Sequence, residues 1–434
     1  MLYKTILLFV LSMMKMTYSE YGTTSVKIDT DTVLETIPDR FLSVTLDTST
    51  IQANWATLNL SSPKVHLLAK ALSPCYLRVG GSSADYLQFN QSSESGRYPK
   101  VSKEFMLTDH INNKLTNFTM IPRQWDELNH FVEEVGWDLI FDLNSLLRQN
   151  GQWSPANAKQ LMDYTTQKGY KIAGWELGNE PDVYKDVGIN ITGSQRAKDY
   201  NILHSLLNHY PQWRDSVVIG PSVTMLVKQI SRKYLQDFVD AGGPDIVTNP
   251  TFHQWLDKLG ISASLGVDVV VRQTFYGGNY GLIDTKTSNP NPDFWLSLLY
   301  KKLVGRSVFN VTMENKTGYV RMYTHCTNTQ RSGYKPGSIT VYGMNLRSEP
   351  TTVVFPQFKP DIKLHLYLME PVGVDSLKSQ TVALNGRTLS LNPDFSLPSM
   401  DYPEVVTSNF TFPQESFGFI VIPDANVATC KVSS

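Results

Sequence analysis

The run WELGNEPD, residues 175–182, closes an apolar stretch with an amide, a carboxylate and a proline. Pro181 forbids further ladder pairing, so a strand entering here stops at Glu180. In an α/β barrel the chemistry gathers at the C-terminal ends of the strands, which is where this pattern puts Glu180. A glutamate at such a rim, among Trp175 and apolar walls, can act as a general acid near neutral pH. Asn179 supplies an amide that can hydrogen-bond a sugar hydroxyl or orient a neighbour. The plainer reading of the same glutamate is a rim carboxylate paired with a loop lysine such as Lys185, and residue type alone does not separate the two.

The elements that must hold this rim are legible around it. ALSPCYLRVGG (71–81) reads as a strand ending in a Gly pair, and GWDLIFDLN (136–144) as a continuous apolar strand of the kind buried on both faces of a parallel sheet. Helical patterns cover 124–135 and 155–168, the second opening at Ser154-Pro155. KIAGWELGNEP is then a strand, 194–210 a helix, SVVIGPSV (216–223) a strand and 227–241 a helix closed by Ala-Gly-Gly. LGVDVVVRQTFYGG (265–278) is a long strand and DFWLSLLYKKLV (293–304) the last strong helix. Alternation of this kind predicts an α/β fold of the (β/α)8 TIM-barrel type over 41–304. From 305 to 434 short alternating segments such as SITVYGMNL and FGFIVIP predict an antiparallel β-sandwich. A strand at 24–34, within a segment 20–40, is expected to join that sandwich. Residues 90–120 are polar and irregular and read as a surface segment.

The totals bound the class. At 434 residues, 41% hydrophobic and 18% charged, the chain supports a large barrel plus a smaller unit. Its net charge of -1 provides no global basic field, which argues against nucleic acid and leaves polyanion binding to a local groove. The start, MLYKTILLFVLSMMKMTYS, has Lys4 before an apolar run shorter than the roughly 20 residues a bilayer needs. Residues 1–19 are therefore expected to be a cleaved signal peptide, and no transmembrane span is expected elsewhere. Seven Asn-X-Ser/Thr sites, Asn59, Asn90, Asn117, Asn190, Asn310, Asn315 and Asn409, fit a secreted glycoprotein, although the pattern also arises by chance. Of three cysteines, Cys326 and Cys430 share the last third and are the expected disulfide, while Cys75 reads as a buried small hydrophobe.

SPCYLRVGG, WDLIFDLNSLLR, ANAKQLMDY, WELGNEPD, WLDKLGISASLGVDVVVRQTFYGGNY, DFWLSLLYKKLVG and HCTNT together carry a wider likeness. Over roughly 40–248 and 252–430 the chain resembles the heparanase family of retaining endo-β-glucuronidases. The resemblance implies a barrel plus a β-sandwich, with Glu180 as acid/base. It implies substrate contacts at Asp47, Asn179, Gly278 and Tyr280, and a Cys326–Cys430 disulfide. Glucuronic-acid linkages of heparan sulfate or hyaluronan are the implied substrates. The eight histidines show no metal-ligand spacing and no phosphate-cradling Gly loop is present, so no metal and no cofactor are expected. A secreted monomer is expected, with the lysosome as the alternative compartment. Since residues 90–120 are short where many members of that family carry a long excised linker, a single-chain form is expected.

Retention at the sugar carbon takes a second carboxylate about 5–5.5 Å from the first, which forms the glycosyl-enzyme. The resemblance places it on a glutamate at the end of the seventh barrel strand. Between Glu180 and Glu314 this chain has no glutamate. Asp245 and Asp268 fall at strand starts, the wrong end of a barrel. Length agrees: 86 residues separate Glu180 from Gly266, too few for three strands and four helices at about 30 residues per βαβ unit. Strand six reads as a stub at 245–248, joined directly to the helix before strand eight. The chain is therefore expected to hold the acid/base and lack the nucleophile, and as a hydrolase to be inactive or strongly impaired. A splice form or incomplete reading of an active enzyme's gene, a degenerate relative, or substitution by another carboxylate such as Asp284 would each account for this. The alternative function is a non-catalytic glycosaminoglycan-binding or signalling variant.

Weaker signals point the same way. Lys185, Lys228, Arg232 and Lys233 could line a groove for a sulfated sugar, or could simply be a solvated face. Trp175 and Trp255 read as barrel packing, and Tyr276 and Tyr280 as candidates for substrate contact.

Overall fold

The computed structural model describes residues 22–92, 116–214, 216–224, 228–243, 255–278, 280–314, 319–373 and 379–432. The expected signal peptide, the stub at 245–248, most of the segment 90–120 and the sequon at Asn315 lie outside them. The chain divides into two units. One takes in 35–301 and 390–398, the other 1–34, 302–389 and 399–434.

The first unit is built on a parallel sheet of strands β1 (Leu42–Asp47), β2 (Tyr76–Gly80), β3 (Asp138–Leu143), β4 (Ile172–Leu177), β5 (Val217–Ile219) and β6 (Val270–Tyr276). Their order is β5-β4-β3-β2-β1-β6, so the chain's last strand of the sheet closes onto its first, as in a barrel. Registers are Arg272 with Val44, Asp47 with Gly80, Arg78 with Ile140, and Asp142 with Glu176. Helices α1 (Pro63–Ala71), α2 (Pro122–Val135), α3 (Ala156–Lys168), α4 (Gly193–Leu207), α5 (Gln229–Asp240), α6 (Trp255–Ser264) and α7 (Pro292–Leu303) alternate with the strands.

Local chemistry sets these limits. Pro122 opens α2, the Gln124 side chain accepts the Ile121 N–H at 3.1 Å, and Gly136 ends it with a left-handed φ of 69°. Thr192 caps α4 by accepting the Gln195 N–H at 3.1 Å. Trp175 lies against Trp213 at 5.3 Å between ring centres, and the indole N–H of Trp255 donates to Ser297 at 2.8 Å, so both tryptophans serve packing.

The sheet has six strands among the described residues. Helix α5 ends at Asp240 and α6 begins at Trp255, leaving 14 residues between them. A strand-helix-strand unit takes about 30 residues, so strands six and seven of a full (β/α)8 ring with their helices do not fit that interval.

The second unit is a β-sandwich. One sheet runs in the order Val304–Phe309, Val320–Thr327, Ile339–Asn345, Ser416–Ile422, Lys363–Pro371, Val382–Leu384 and Arg387–Thr388, with Glu404–Thr407 also on Lys363–Pro371. The other orders Val311–Met313, Gly22–Ile28, Thr351–Val354 and Asn409–Phe412. Pairing is antiparallel except where Gly22–Ile28 joins Thr351–Val354 in parallel, a contact open to a strand arriving from far away in the chain. Val26, Phe309, Val341, Leu364, Phe412 and Ile420 fill the core. Cys326 and Cys430 are joined there, with Cα atoms 5.4 Å apart, and Cys75 is free and buried. No helix among the described residues is long and apolar enough to cross a membrane.

Candidate active site

Glu180 follows the end of β4. Its backbone is left-handed, with φ 50° and ψ 52°, which costs a residue with a Cβ on the order of 1–3 kcal/mol unless its surroundings hold it. They do. The Glu180 N–H donates to the Ser222 carbonyl at 2.7 Å, and the Glu180 carbonyl accepts from the Val183 N–H at 3.1 Å as Pro181–Val187 winds into a 3-10 turn. Two residues earlier, Gly178 has a φ of 74°, and a Cβ there would sit 2.3 Å from the Ser145 hydroxyl oxygen. Only glycine fits that position.

Between them, Asn179 is held from two sides. Its N–H donates to Asp85 Oδ2 at 3.1 Å, and its side-chain oxygen accepts from Arg78 Nη2 at 3.1 Å. Arg78, on β2, also grips Glu176 on β4 in a two-point bond, Nε to Oε2 at 2.6 Å and Nη2 to Oε1 at 3.0 Å. Ser222 donates to the same Oε1. Asp142 on β3 accepts the Gly178 N–H at 2.7 Å and faces Arg78 at 3.6 Å. Burial, reinforced by the Glu176 charge, pushes the Asp142 carboxyl far above the usual carboxylate range against the opposing pull of Arg78. Asp85 is also raised by burial, while hydrogen bonds from Tyr184 and Ser145 oppose the rise.

Asp47, Arg78, Tyr276, Gly278 and Tyr280 line one recess beside this framework, with Thr45 at its wall. Asp47 Oδ1 accepts the Ser49 N–H at 2.8 Å. The Tyr276 hydroxyl is tied to the carbonyls of Thr57 and Thr285, so only its ring meets the recess. Tyr280 is 45% exposed and its ring lies over Gly278. Thus three of the expected substrate residues, Asp47, Gly278 and Tyr280, come together, and Asn179 joins them through Arg78. Lys185 is exposed on the turn after Glu180, and neither of the two is among the lining residues.

The Asp284 carboxyl accepts the Lys286 and Thr287 N–H groups and the Thr287 hydroxyl. The Thr287 hydroxyl, with those N–H groups, keeps it below the usual carboxylate range. It caps its own turn, which gives no support to Asp284 as a stand-in nucleophile. Asp268 lies just ahead of β6, at the opposite end of the strand from the recess, and Asp245 is outside the described residues.

Sequence reasoning missed Arg78, Asp85, Asp142 and Glu176. For Arg78, Asp142 and Glu176 the available signal was a charged residue inside an apolar strand run, in LRVG, IFDL and WEL, whereas Asp85, in the turn after β2, carried no such signal. A lone charge in a parallel strand that is buried on both faces has to find a partner across the sheet.

The model of glycosyl hydrolase family 79, N-terminal domain, matches residues 23–273. The chain belongs to glycosyl hydrolase family 79. It is 32% identical to the heparanase of Gallus gallus over 491 residues, covering 90% of this chain and 93% of that protein. It is 30% identical to the hyaluronoglucuronidase of Hirudo nipponia over 503 residues, covering 94% and 99%. It is 29% identical to the inactive heparanase-2 of Homo sapiens, covering 93% and 89%. The stretches matched with these family 79 relatives exceed the chain's own 434 residues, so the relatives carry residues inside the matched span that this chain lacks. Among solved structures, a 4-O-α-L-rhamnosyl-β-D-glucuronidase from Fusarium oxysporum superposes with a TM-score of 0.58 at 11% identity, covering 91% of this chain and 99% of that one. A GH51 α-L-arabinofuranosidase from Thermotoga petrophila gives 0.58 at 11%, covering 92% and 100%. These last two likenesses concern the fold alone.

Proposed function

We propose that this family 79 chain is a heparanase-like protein with half of a retaining glycosidase site. Its ligand class is a glucuronate-bearing glycosaminoglycan, heparan sulfate or hyaluronan. Glu180 stands as acid/base. Asp47, Asn179, Gly278 and Tyr280 contact the sugar, and Lys185 meets its acidic groups from the rim. The nucleophile is missing, so the chain as it stands turns over its polymer not at all or very weakly. The observation that carries this reading is the absence of any glutamate between Glu180 and Glu314, together with the 14 residues between α5 and α6.

The barrel region 41–304, the sandwich region 305–434 and the leader 1–19 complete the assignment. We read the protein as secreted, extracellular, monomeric and glycosylated. In support, the six described acceptors, Asn59, Asn90, Asn117, Asn190, Asn310 and Asn409, are all exposed. A second reading, a non-catalytic glycosaminoglycan-binding variant, is favoured by the likeness to a relative whose name reads inactive.

The test is an assay of the purified chain on heparan sulfate and on hyaluronan, with product size as the readout. No turnover above a blank is expected, and Glu180→Gln should leave that baseline unchanged. Robust turnover abolished by Glu180→Gln would overturn the proposal. A sibling transcript inserting a Gly-Glu-bearing segment at Thr248–Asn249 would assign the gene to an active enzyme and this chain to its shortened form.

A further inference from the structure

We propose that Asp85 is the positioning residue that fixes the Asn179-Glu180 exit by joining the ends of β2, β3 and β4. This rests on the reading of Glu180 as acid/base. Asp85 lies in the turn Ser82–Tyr86 that follows β2. Its Oδ1 accepts the N–H of Ser145, just past β3, at 3.1 Å and the Ser145 hydroxyl at 2.7 Å. Its Oδ2 accepts the N–H of Asn179, just past β4, at 3.1 Å and the Tyr184 hydroxyl at 2.6 Å.

Each oxygen takes one backbone N–H and one hydroxyl. The hydroxyls can rotate to other partners, but the two backbone donors cannot. Only a carboxyl group offers two acceptor oxygens from one short side chain, and an amide would turn its NH2 against one of the N–H groups. Asp85 is 2% exposed, so water does not take its place. Arg196 closes the arrangement, donating to the Ser145 hydroxyl at 3.3 Å and lying 5.6 Å from the centre of the Tyr184 ring.

The consequence falls on Asn179 and on its neighbour. Arg78 fixes the Asn179 side chain and Asp85 fixes its backbone, so the amide is aimed from both ends. Glu180 is one peptide further on and left-handed. A strained residue keeps that conformation only while its neighbours are pinned. Losing the Asp85 anchor should let the exit relax and misdirect both functional side chains.

The experiment compares the full-length wild type with Asp85→Ala and Tyr184→Phe. Tyr184→Phe removes a hydroxyl from the same buried cluster but leaves the Asn179 N–H anchored. Binding of heparan sulfate and hyaluronan hexasaccharides is read by calorimetry, and amide exchange is read over 176–184. Asp85→Ala should weaken binding about tenfold or more and speed exchange at Asn179, while Tyr184→Phe stays within about twofold. Equal losses in both variants, or unchanged binding in a folded Asp85→Ala, would overturn the proposal. Should Asp85→Ala fail to fold, exchange in the wild type decides: protection at Asn179 supports the anchor, and exchange as fast as a free peptide refutes it. Should the wild type bind neither hexasaccharide, the glycosaminoglycan reading falls, and Asp85 is judged on the exchange arm.

Discussion

In the barrel unit Arg78, Asp85, Asp142, Glu176, Arg196 and Asp199 are all buried. In the sandwich unit no Asp, Glu, Lys or Arg is buried among the described residues, and the core is aliphatic and aromatic around one disulfide. Burying charge is costly and adds little net stability, since desolvation consumes most of the attraction between partners. What a buried network supplies is fixed geometry. Arg78 and Asp85 place Asn179, Asp142 places Gly178, and the sandwich has no comparable placement to make. The contrast locates the candidate chemistry in the barrel by where charge is tolerated, independently of any motif.

The contrast can be broken or sharpened by substitution. The largest effect is expected from the cross-link. Replacing Cys326 and Cys430 together with Ala frees a loop of 104 residues and should lower the sandwich's unfolding free energy by about 4–5 kcal/mol, followed by denaturant titration with a probe in that unit. An equal loss in the barrel would erase the distinction between the units. Next, Glu176→Gln strands the Arg78 charge in the barrel and should cost about 3–5 kcal/mol, whereas Glu176→Gln combined with Arg78→Met should recover most of it. A double variant no better than the single would mean the network is needed for stability itself.

Acid should act on the two units with opposite signs. Burial holds His325, in the sandwich, down to about 4, although its bond to the Gly305 carbonyl pulls the other way. Between about pH 6.5 and 4 the unfolded chain therefore binds the proton and the folded one does not, so stability is lost as pH falls, by up to about 3 kcal/mol. His325→Gln should flatten that slope in a melting series. Asp142 behaves in reverse. Its raised carboxyl keeps a proton that the unfolded chain gives up near pH 4, so this stability is present at low pH and lost as pH rises through the raised value. Asp142→Asn should remove that loss and cost less than about 1 kcal/mol near neutrality, the smallest effect of the set. A large cost at neutral pH would show that Asp142 is ionised beside Arg78.

Much of this was readable along the chain. The apolar runs before Gly80, Leu143, Leu177 and Tyr276 gave the strands, because a strand buried on both faces needs no polar alternation. The helical pattern at 124–135 was legible too, and the structure adds its limits: Pro122 opens α2, since proline fits a first turn, and Gly136 supplies the left-handed residue that ends it. The Asn179-Glu180-Pro181 exit was equally local. Less legible was the parallel pairing of Gly22–Ile28 with Thr351–Val354, because nothing in either segment states its partner.

By itself, the amino-acid order determined the barrel-plus-sandwich architecture, the placement of Glu180 at a strand end and the lack of any glutamate between it and Glu314. Those properties live in periodicity, local breakers and composition, which act within a few residues. Tertiary structure alone decided that Arg78 meets Glu176 across 98 positions and that Asp85 meets Asn179 across 94. Such partners exist only once strands far apart in the chain are brought into register, and their strength comes from the burial that the same folding creates.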